Sequence, residues 1–397
     1  MLIQILCITL LFPALLVAIY YWFLVLCALS MKPKVRPKND KDPFHTFAIV
    51  IPAHNEEQVI SDLLVSCAKL DYPKEKYRVY VVADNCSDLT AKIAAREGAV
   101  CLERHDDKHR GKGFALAWAF ERILPKGYDA LLVLDADCSI GSHALLVFDR
   151  YLQEGNQVLQ ANDTVSNPDE STTSYALAVG NLIENDLFYA PKSHLGLAVF
   201  LRGTGMVFHR KVLQTYPWKA HSIVEDIEYT LSLFRRGIRV KFTNEVNVTS
   251  ESPVHQDQLS IQRTRWASGN LRLSKKFPLK LMWEGLAKRQ PLLLDAAWTL
   301  LVLSRPLVLL ELFVAVMFAV LCFRLVPGSF SNGLLAIGFS LVFFQCLYAG
   351  VGIVLLGLST RRTALLLSAP AVLFRLIGIN LLATFGIGKN NWMRTPR

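Results

Sequence analysis

What most limits the folds open to this chain is where its apolar runs fall. From Leu2 to Leu29 only Gln4, Thr9 and the Tyr20-Tyr21-Trp22 cluster interrupt an apolar stretch. At ~1.5 Å rise per residue, such a helix spans the ~30 Å hydrocarbon core of a bilayer. Two further runs of spanning length, Arg305 to Leu325 and Leu334 to Leu358, lie near the other end, with the turn Pro327-Gly328-Ser329 between them. From about Phe47 to Asn270 no such run occurs. The pattern predicts a polar body held at a membrane from both sides. No basic segment precedes the first run and no small-x-small site follows it, so an uncleaved anchor is expected rather than a signal peptide.

Charge sets the expected orientation. Lys and Arg outnumber Asp and Glu by 43 to 33, and the excess is concentrated beside the apolar runs. Lys32, Lys34, Arg36, Lys38 and Lys41 follow the first, Arg361 and Arg362 follow the third, and the last residues, Lys389 to Arg397, are basic again. Because basic flanks stay in the cytoplasm, three crossings are expected, with the N-terminus outside and the C-terminus inside the inner or cell membrane. The excess is thus matched to a lipid bilayer and not to nucleic acid. Leu292 to Leu303 is short and carries Asp295, while Thr363 to Gly388 contains Pro370 and Arg375, so both are expected to lie at the interface. The expected organisation is an anchor over 1–30, a cytoplasmic body over 44–277, interfacial helices over 278–304, two spans over 305–358, and an interfacial helix with a basic tail over 359–397. The eight cysteines form no C-x-x-C pair and read as reduced. A composition of 52% hydrophobic residues excludes a disordered chain.

Within the body, short β-branched stretches alternate with helical patterns, which is the signature of βαβ units around a mostly parallel sheet. Strands are expected at Phe47 to Ile51, Tyr77 to Ala83, Val100 to Glu103, Ala130 to Leu134 and Val158 to Ala161. Helices are expected at Glu57 to Lys69, Thr90 to Glu97 and Lys112 to Leu124.

Three of these strands end in polar groups, at the carboxyl edge where open α/β sheets bind ligands. The first runs into Pro52-Ala53-His54-Asn55-Glu56-Glu57, and the second into Asp84-Asn85-Cys86-Ser87-Asp88. An N-cap role suits Ser87 or Asp88, but Asp84 stands directly at the strand end, where it could hydrogen-bond a base or ribose. The third, wholly apolar, stops at Asp135-Ala136-Asp137. In an extended segment those two carboxylates share a side and could share a hard divalent cation, Mg2+ or Mn2+, bridging to phosphate. A solvated turn is the plainer reading of a lone D-x-D. Arg110-Gly111-Lys112-Gly113 opens a helix and would attract phosphate, although the spacing of a Walker loop is absent. Farther on, Glu225-Asp226 precedes a helical pattern, with an N-cap as the plain alternative. Gln262, Arg265 and Trp266 fall on one side of another, which could equally be a basic interfacial helix.

Taken together, the opening strand, Asp84, Asp135-Ala136-Asp137, Glu225-Asp226 and Gln262-x-x-Arg265-Trp266 resemble the membrane-bound glycosyltransferases of family two, the group of the cellulose, chitin, hyaluronan and poly-N-acetylglucosamine synthases. The resemblance implies a GT-A nucleotide-sugar domain and a role for each residue. Asp226, with Glu225, would be the catalytic base. Pro52, Asn55, Glu57, Asp84, Lys112, Asp135 and Arg265 would hold the nucleotide-sugar, expected to be UDP-linked, and Asp137 would ligate the metal. Gly203, Thr204, Gln262 and Trp266 would line the acceptor. Trp392, Thr395 and Arg397 resemble a gating segment that covers the nucleotide; a lipid-bound basic tail is the plain alternative.

One base and one displacement imply inversion at the sugar and a β-linked product. The expected activity is extension of an extracellular polysaccharide, with oligomerisation or export partners to carry the product. The alternative is a single addition to a lipid or lipid-linked acceptor. A transporter is a third possibility, but one would keep its ionisable residues within its spans, whereas the carboxylates here lie in the body.

Overall fold

The computed structural model describes residues 2–31, 42–252, 256–302 and 304–384. The basic cluster after the first apolar run, and Trp392, Thr395 and Arg397, lie outside the described residues.

The body is built on one eight-stranded sheet: β1 (Phe47–Ala53), β2 (Tyr77–Asp84), β3 (Val100–Arg104), β4 (Ala130–Val133), β5 (Cys138–Ile140), β6 (Val158–Val165), β7 (Met206–His209) and β8 (Lys241–Ser250), in the order β3-β2-β1-β4-β7-β6-β8-β5. The pairs β1–β2, β2–β3, β1–β4 and β6–β8 are parallel, and those involving β5 or β7 are antiparallel. The sheet is therefore mixed, with its first half wholly parallel. The five expected strands all form; β5, β7 and β8 are additional.

The helices of the chain are α1 (Leu2–Ser30), α2 (Ile60–Ala68), α3 (Thr90–Arg96), α4 (Lys112–Ile123), α5 (Ala144–Gln153), α6 (Thr172–Glu184), α7 (Ala190–His194), α8 (Arg210–Thr215) and α9 (Glu225–Phe234). After β8 come α10 (Gln256–Lys276), α11 (Pro278–Ala287), α12 (Pro291–Val302), α13 (Arg305–Leu325), α14 (Ser329–Leu356) and α15 (Thr360–Thr384). Alternation along β1 divides the interior into two cores. Phe47, Ile49 and Ile51 face α2 and α5, packing with Ile60, Leu63 and Phe148. Ala48 and Val50 face the other way, into a core with Ala115 and Phe120 of α4, Leu231 and Phe234 of α9, and Tyr21, Leu24 and Val25 of α1.

Helices α1, α13 and α14 form a bundle that leaves the body at one end. Near the body Tyr21 stacks on Tyr348 with ring centroids 5.2 Å apart. Away from it Cys7, Leu11, Ala315, Ala319, Cys322 and Leu334 pack into a separate apolar core. Among the described residues, four helices could cross a membrane by length and composition, α15 being the fourth. The sequence reading expected an interfacial helix over Thr363 to Gly388, and the helix that forms, Thr360–Thr384, runs unbroken through Pro370. Its placement differs from that of the other three. At its start Arg362 makes a two-pronged ion pair with Asp169, between β6 and α6, at 2.7 and 3.1 Å. Near its end Ile379 and Ala383 pack on Ala267 of α10. These contacts are some 21 residues apart, about 30 Å of helix, and both are with the body.

Helix α11 leaves Leu279, Met282, Trp283 and Leu286 exposed on one stripe. Helix α12, expected at the interface, is instead enclosed, with Leu293, Ala296 and Ala297 fully buried. Its Asp295 explains why: Oδ2 lies 3.0 Å from the fully buried Lys192 of α7, and Oδ1 accepts a 2.6 Å hydrogen bond from Tyr20 of α1. All eight cysteines are unpaired.

Candidate active site

The parallel half of the sheet presents the carboxyl ends of β1, β2 and β4 at one edge, as the alternation of apolar strand and polar end implies. Loop 54–57 after β1 and loop 85–89 after β2 are laced together. Asn55, held at φ +57, accepts a 2.8 Å hydrogen bond from the Ser87 amide, and Glu57 accepts a 2.9 Å bond from the Leu89 amide. Pro52 pairs with Val82 within the sheet. Asn55 and Glu57 thus shape the rim. Asp84 ends β2, almost wholly buried, with its carboxylate 2.5 Å from the guanidinium of Arg104 at the end of β3. Burial pushes the Asp84 carboxyl up, and Arg104 offsets part of that. Arg104 was not foreseen from the sequence.

At the third edge β4 stops at Val133, one residue short of the expectation, and the chain turns. The turn is closed by a hydrogen bond from the Cys138 amide to the Asp135 carbonyl, 3.2 Å. Asp135 and Asp137 are therefore not alternating residues of an extended strand, as expected, but two positions of a tight turn between β4 and β5.

Asp135 forms an ion pair with Lys112 at the start of α4. Lys112 also donates to the carbonyl of Gly203, 3.0 Å. Gly203 is the hub of the site. A Cβ placed on it would lie 3.3 Å from Lys112 Nζ, 3.6 Å from Asp226 Oδ2 and 4.0 Å from Asp135 Oδ2. With φ +82 the residue occupies the left-handed region, which glycine enters without steric penalty. The turn is clamped by Gln160 of β6, whose fully buried amide accepts from the Arg202 amide at 2.9 Å and donates to the Thr204 carbonyl at 2.8 Å. The Thr204 hydroxyl in turn accepts from the Asp135 amide, 3.1 Å. An amide in the apolar strand Val158-Leu159-Gln160-Ala161 was a legible signal of such a clamp, and the sequence reading missed it.

Glu225 and Asp226 open α9. Burial is the main cause that lifts both carboxyls above their ordinary values; proximity to Asp226 lifts Glu225 further, while Lys112 and the Ile227 amide restrain Asp226. Burial alone would lower the Lys112 ammonium, but Asp135, Glu225 and Asp226 around it hold it above its usual value. The site is thus a partly enclosed set of carboxylates balanced by one lysine. Asp163 of β6 adds a further carboxylate, 3.4 Å from Arg202. Burial raises it against the pull of Arg202, and neighbouring Asp135 raises it again.

Helix α10 is seated beside this set by Gly269, where a Cβ would come 2.7 Å from Val224, the residue before Glu225. Arg265 is half-buried on that helix, Trp266 is 38% exposed, and the Arg263 guanidinium lies 5.0 Å from the Trp266 ring centroid. The side chain of Gln262 lies outside the described residues. Asp84 with Arg104 stands at a neighbouring strand end.

Among the described residues no group of three or more His, Cys, Asp or Glu could by itself hold a metal ion. Asp135 and Asp137 offer hard oxygen donors for a cation whose other ligands come from a phosphate-bearing substrate.

The family model described as glycosyltransferase like family 2 matches residues 44–269. The chain is 27% identical over 233 residues to a probable glycosyltransferase of Sulfolobus acidocaldarius, covering 56% of this chain and 49% of that one. Over 249 residues it is 27% identical to a beta-monoglucosyldiacylglycerol synthase of Trichormus variabilis, covering 60% and 52%. Over 287 residues it is 24% identical to a poly-beta-1,6-N-acetyl-D-glucosamine synthase of Staphylococcus aureus, covering 67% and 66%. The chain spans about half the length of the first two relatives. Among solved structures, a mannosyltransferase from Pyrobaculum calidifontis in complex with GDP-Man and Mn2+ superposes with a TM-score of 0.58 at 20% identity, covering 96% of this chain and 98% of that one. That likeness is one of fold.

Proposed function

The chain belongs to the glycosyltransferase like family 2, with a GT-A-like body, and from that premise we propose that it is an inverting hexosyltransferase using a nucleotide diphosphate sugar, UDP-linked. One observation carries the reading: Asp135, Lys112 and Asp226 meet around Gly203 at the carboxyl edge of the sheet, within 4.0 Å of where its side chain would begin.

In this mechanism Asp226 accepts the proton of the attacking acceptor hydroxyl, and burial, with neighbouring Asp135, raises its basicity. Lys112, and Arg265 from α10, balance the charge that develops on the departing diphosphate. Asp84 and the rim built by Asn55 and Glu57 receive the nucleoside. A divalent ion, Mg2+ or Mn2+, held by Asp137 with Asp135 would neutralise phosphate charge when bound. Thr204 and Trp266 face the acceptor, and the inverted product is β-linked. The mannosyltransferase complexed with GDP-Man and Mn2+ supports a metal and a nucleotide-sugar as ligands of this fold.

We place α1, α13 and α14 across the membrane and α15 along the body at its surface, because α15 returns to the body at both ends. The body is then cytoplasmic, with the N-terminus outside. The expected product is an extracellular polysaccharide, and the Staphylococcus aureus relative is by name a synthase of poly-beta-1,6-N-acetyl-D-glucosamine. A second reading, sugar addition to a lipid acceptor at the membrane face, is favoured by a specific observation. Among the described residues the core of the three-helix bundle is filled with Leu, Ala and Cys side chains, which leave no polar path along it. The name of the Trichormus variabilis relative is of that kind. Incubating the purified full chain with a panel of radiolabelled nucleotide sugars, with and without diacylglycerol, tests the reading. Incorporation from none of them overturns it, and the size of the labelled product separates polymer from glycolipid.

A further inference from the structure

A second charge cluster lies beside the sugar-transfer site, where the body meets the membrane helices. Arg202, the residue before Gly203, holds its guanidinium 3.4 Å from Asp163 of β6 and 3.9 Å from Glu184 at the end of α6. Helix α6 passes there into a single π-helical turn, Asn185–Tyr189, a distortion that recurs at functional sites. The turn lets Asn185 accept from Arg202 and donate to the Asp163 carbonyl at 2.7 Å. It also sets the Tyr189 ring 5.7 Å from the same guanidinium. Two more arginines reach the cluster from other elements. Arg305, at the start of α13, donates to the Gly180 carbonyl of α6 at 3.2 Å. Arg263, half-buried on α10, has its Nε enclosed without a hydrogen-bond partner among the described residues. Burial would raise the Glu184 carboxyl, but Arg202, Arg305 and Arg263 together hold it below its ordinary value. Burial lowers Arg263, and Glu184 does not restore it.

Three guanidiniums thus share two carboxylates. Both ion pairs fall on Arg202, and among the described residues neither Arg263 nor Arg305 has one. An enclosed cation without a counter-charge is costly. The side chains of Arg202, Asp163 and Glu184 keep 14, 21 and 28% of their surface, so the set is open to a ligand. Tyr348 of α14, only 2% exposed, leaves its hydroxyl unpartnered within electrostatic reach of Arg305 and Glu184. Tyr189 is in reach of Asp226 as well as of Arg202, Arg305 and Glu184, so an anion held here lies beside the base. Arg presents a fork of donors that matches phosphate oxygens. Arg305 opens one span and Tyr348 belongs to another, which is where an amphiphile in the bilayer presents its headgroup. On the reading of this chain as a glycosyltransferase, we infer that its acceptor is a lipid with a phosphodiester next to the attacking hydroxyl, and that Arg202, Arg263 and Arg305 bind that phosphate. The hydroxyl oxygen bonds to the anomeric carbon, the bond from that carbon to the diphosphate breaks, the proton passes to Asp226 and the nucleoside diphosphate leaves.

The test uses the full chain in neutral detergent with three compounds that carry a free hydroxyl: dioctanoyl phosphatidylglycerol, dioctanoylglycerol without the phosphate, and glycerophosphoglycerol without the chains. Thermal unfolding reads binding, and transfer from a panel of radiolabelled nucleotide sugars reads turnover. A saturable rise in unfolding temperature and the highest kcat/KM are expected with phosphatidylglycerol; an equal response to glycerophosphoglycerol keeps the phosphate site and assigns it to soluble acceptors. Arg263→Gln should weaken apparent affinity for phosphatidylglycerol at least about tenfold, and Arg263→Lys should retain part of it. Glu184→Gln, which removes a competing carboxylate, should strengthen it, an effect of opposite sign to that of a merely structural ion network. Lys280→Gln, an equal charge loss on the exposed side of α11, should leave it unchanged. The unfolding temperature without lipid checks that each variant folds. Equal responses to phosphatidylglycerol and dioctanoylglycerol, parent-like affinity in Arg263→Gln, or equal loss in Lys280→Gln would overturn the inference. Sugar transfer to no acceptor, with the phosphatidylglycerol response intact, would instead overturn the glycosyltransferase reading and leave the phosphate site standing.

Discussion

Tyr20 and Asp295 share a 2.6 Å hydrogen bond across 275 residues of sequence, joining the first helix of the chain to the enclosed helix α12. The same carboxylate accepts from the Ala198 amide at 2.8 Å and pairs with Lys192, which has no exposed surface. Removing the carboxylate leaves an ammonium buried without its counter-charge. Asp295→Ala is expected to cost about 3–5 kcal/mol and Tyr20→Phe about 1 kcal/mol. Thermal unfolding of the full chain in detergent measures both, and a smaller loss for Asp295→Ala than for Tyr20→Phe would contradict this account.

Asp226→Asn keeps size and shape but removes the base. Turnover should fall by about 10²–10⁴-fold, while the dissociation constant for the nucleotide diphosphate stays within about threefold, since no phosphate-binding group is altered. Single-turnover assays and equilibrium dialysis separate the two. Substantial turnover in the variant would move the base elsewhere.

The raised carboxyls of Glu225 and Asp226 give stability and activity opposite dependences on pH. In the folded state the pair keeps protons that the unfolded chain releases near its ordinary values of 4.5 and 3.8. Between those values and the raised ones the folded state binds more protons, so this contribution to stability is full below the ordinary values and is lost as pH rises. Transfer needs Asp226 ionised, so kcat/KM should climb over the window in which stability declines. A pH–rate profile flat from pH 5 to 8 would argue against Asp226 as base.

Gly203→Ala combines two penalties. The left-handed backbone costs about 1–2 kcal/mol, and the new methyl meets Lys112 Nζ at 3.3 Å and Asp226 Oδ2 at 3.6 Å. Turnover should drop at least about tenfold with only a modest loss of folding stability. Gln160→Leu should resemble it, because the Arg202 amide and Thr204 carbonyl lose their buried partner. Parent-like kcat in both would show that the turn does not position the site.

Asp137→Ala should weaken binding of the nucleotide diphosphate in Mg2+ or Mn2+ but change little in chelator, where the parent has lost the same contribution. Isothermal titration with and without EDTA reads the difference, and parent affinity that is indifferent to EDTA would remove the metal from this site.

The parallel half of the sheet was legible because its strands are buried on both faces and read as continuous apolar runs: Ala48 to Ile51 and Ala130 to Val133 have no exposed surface. β8 was not, since Lys241–Ser250 is polar along much of its length and is paired only through contacts distant in sequence. β7, with four residues, is too short to give a period. The polar strand ends at Asp84 and Asp135 were visible for the same reason as the strands, as abrupt stops. Gln160 was legible as a lone amide in an apolar strand, but Arg104 and Asp163 act through partners far away in the sequence, and no local pattern marks those. The enclosed state of α12 was hidden because its one charged residue reads as a surface feature until Lys192 and Tyr20 are seen around it.

Because Tyr21, Leu24 and Val25 of α1 belong to the same core as Val50 and Phe120, this helix is also a wall of the body that follows it in the chain. Its partners Trp298 and Tyr348 are made hundreds of residues later. Synthesis must therefore reach Tyr348 before that wall can close, and until then the apolar face of α1 lacks its protein partners. The last pieces of one core are thus made long after its first, so trimming α1 to obtain a water-soluble enzyme would remove part of the folded body itself.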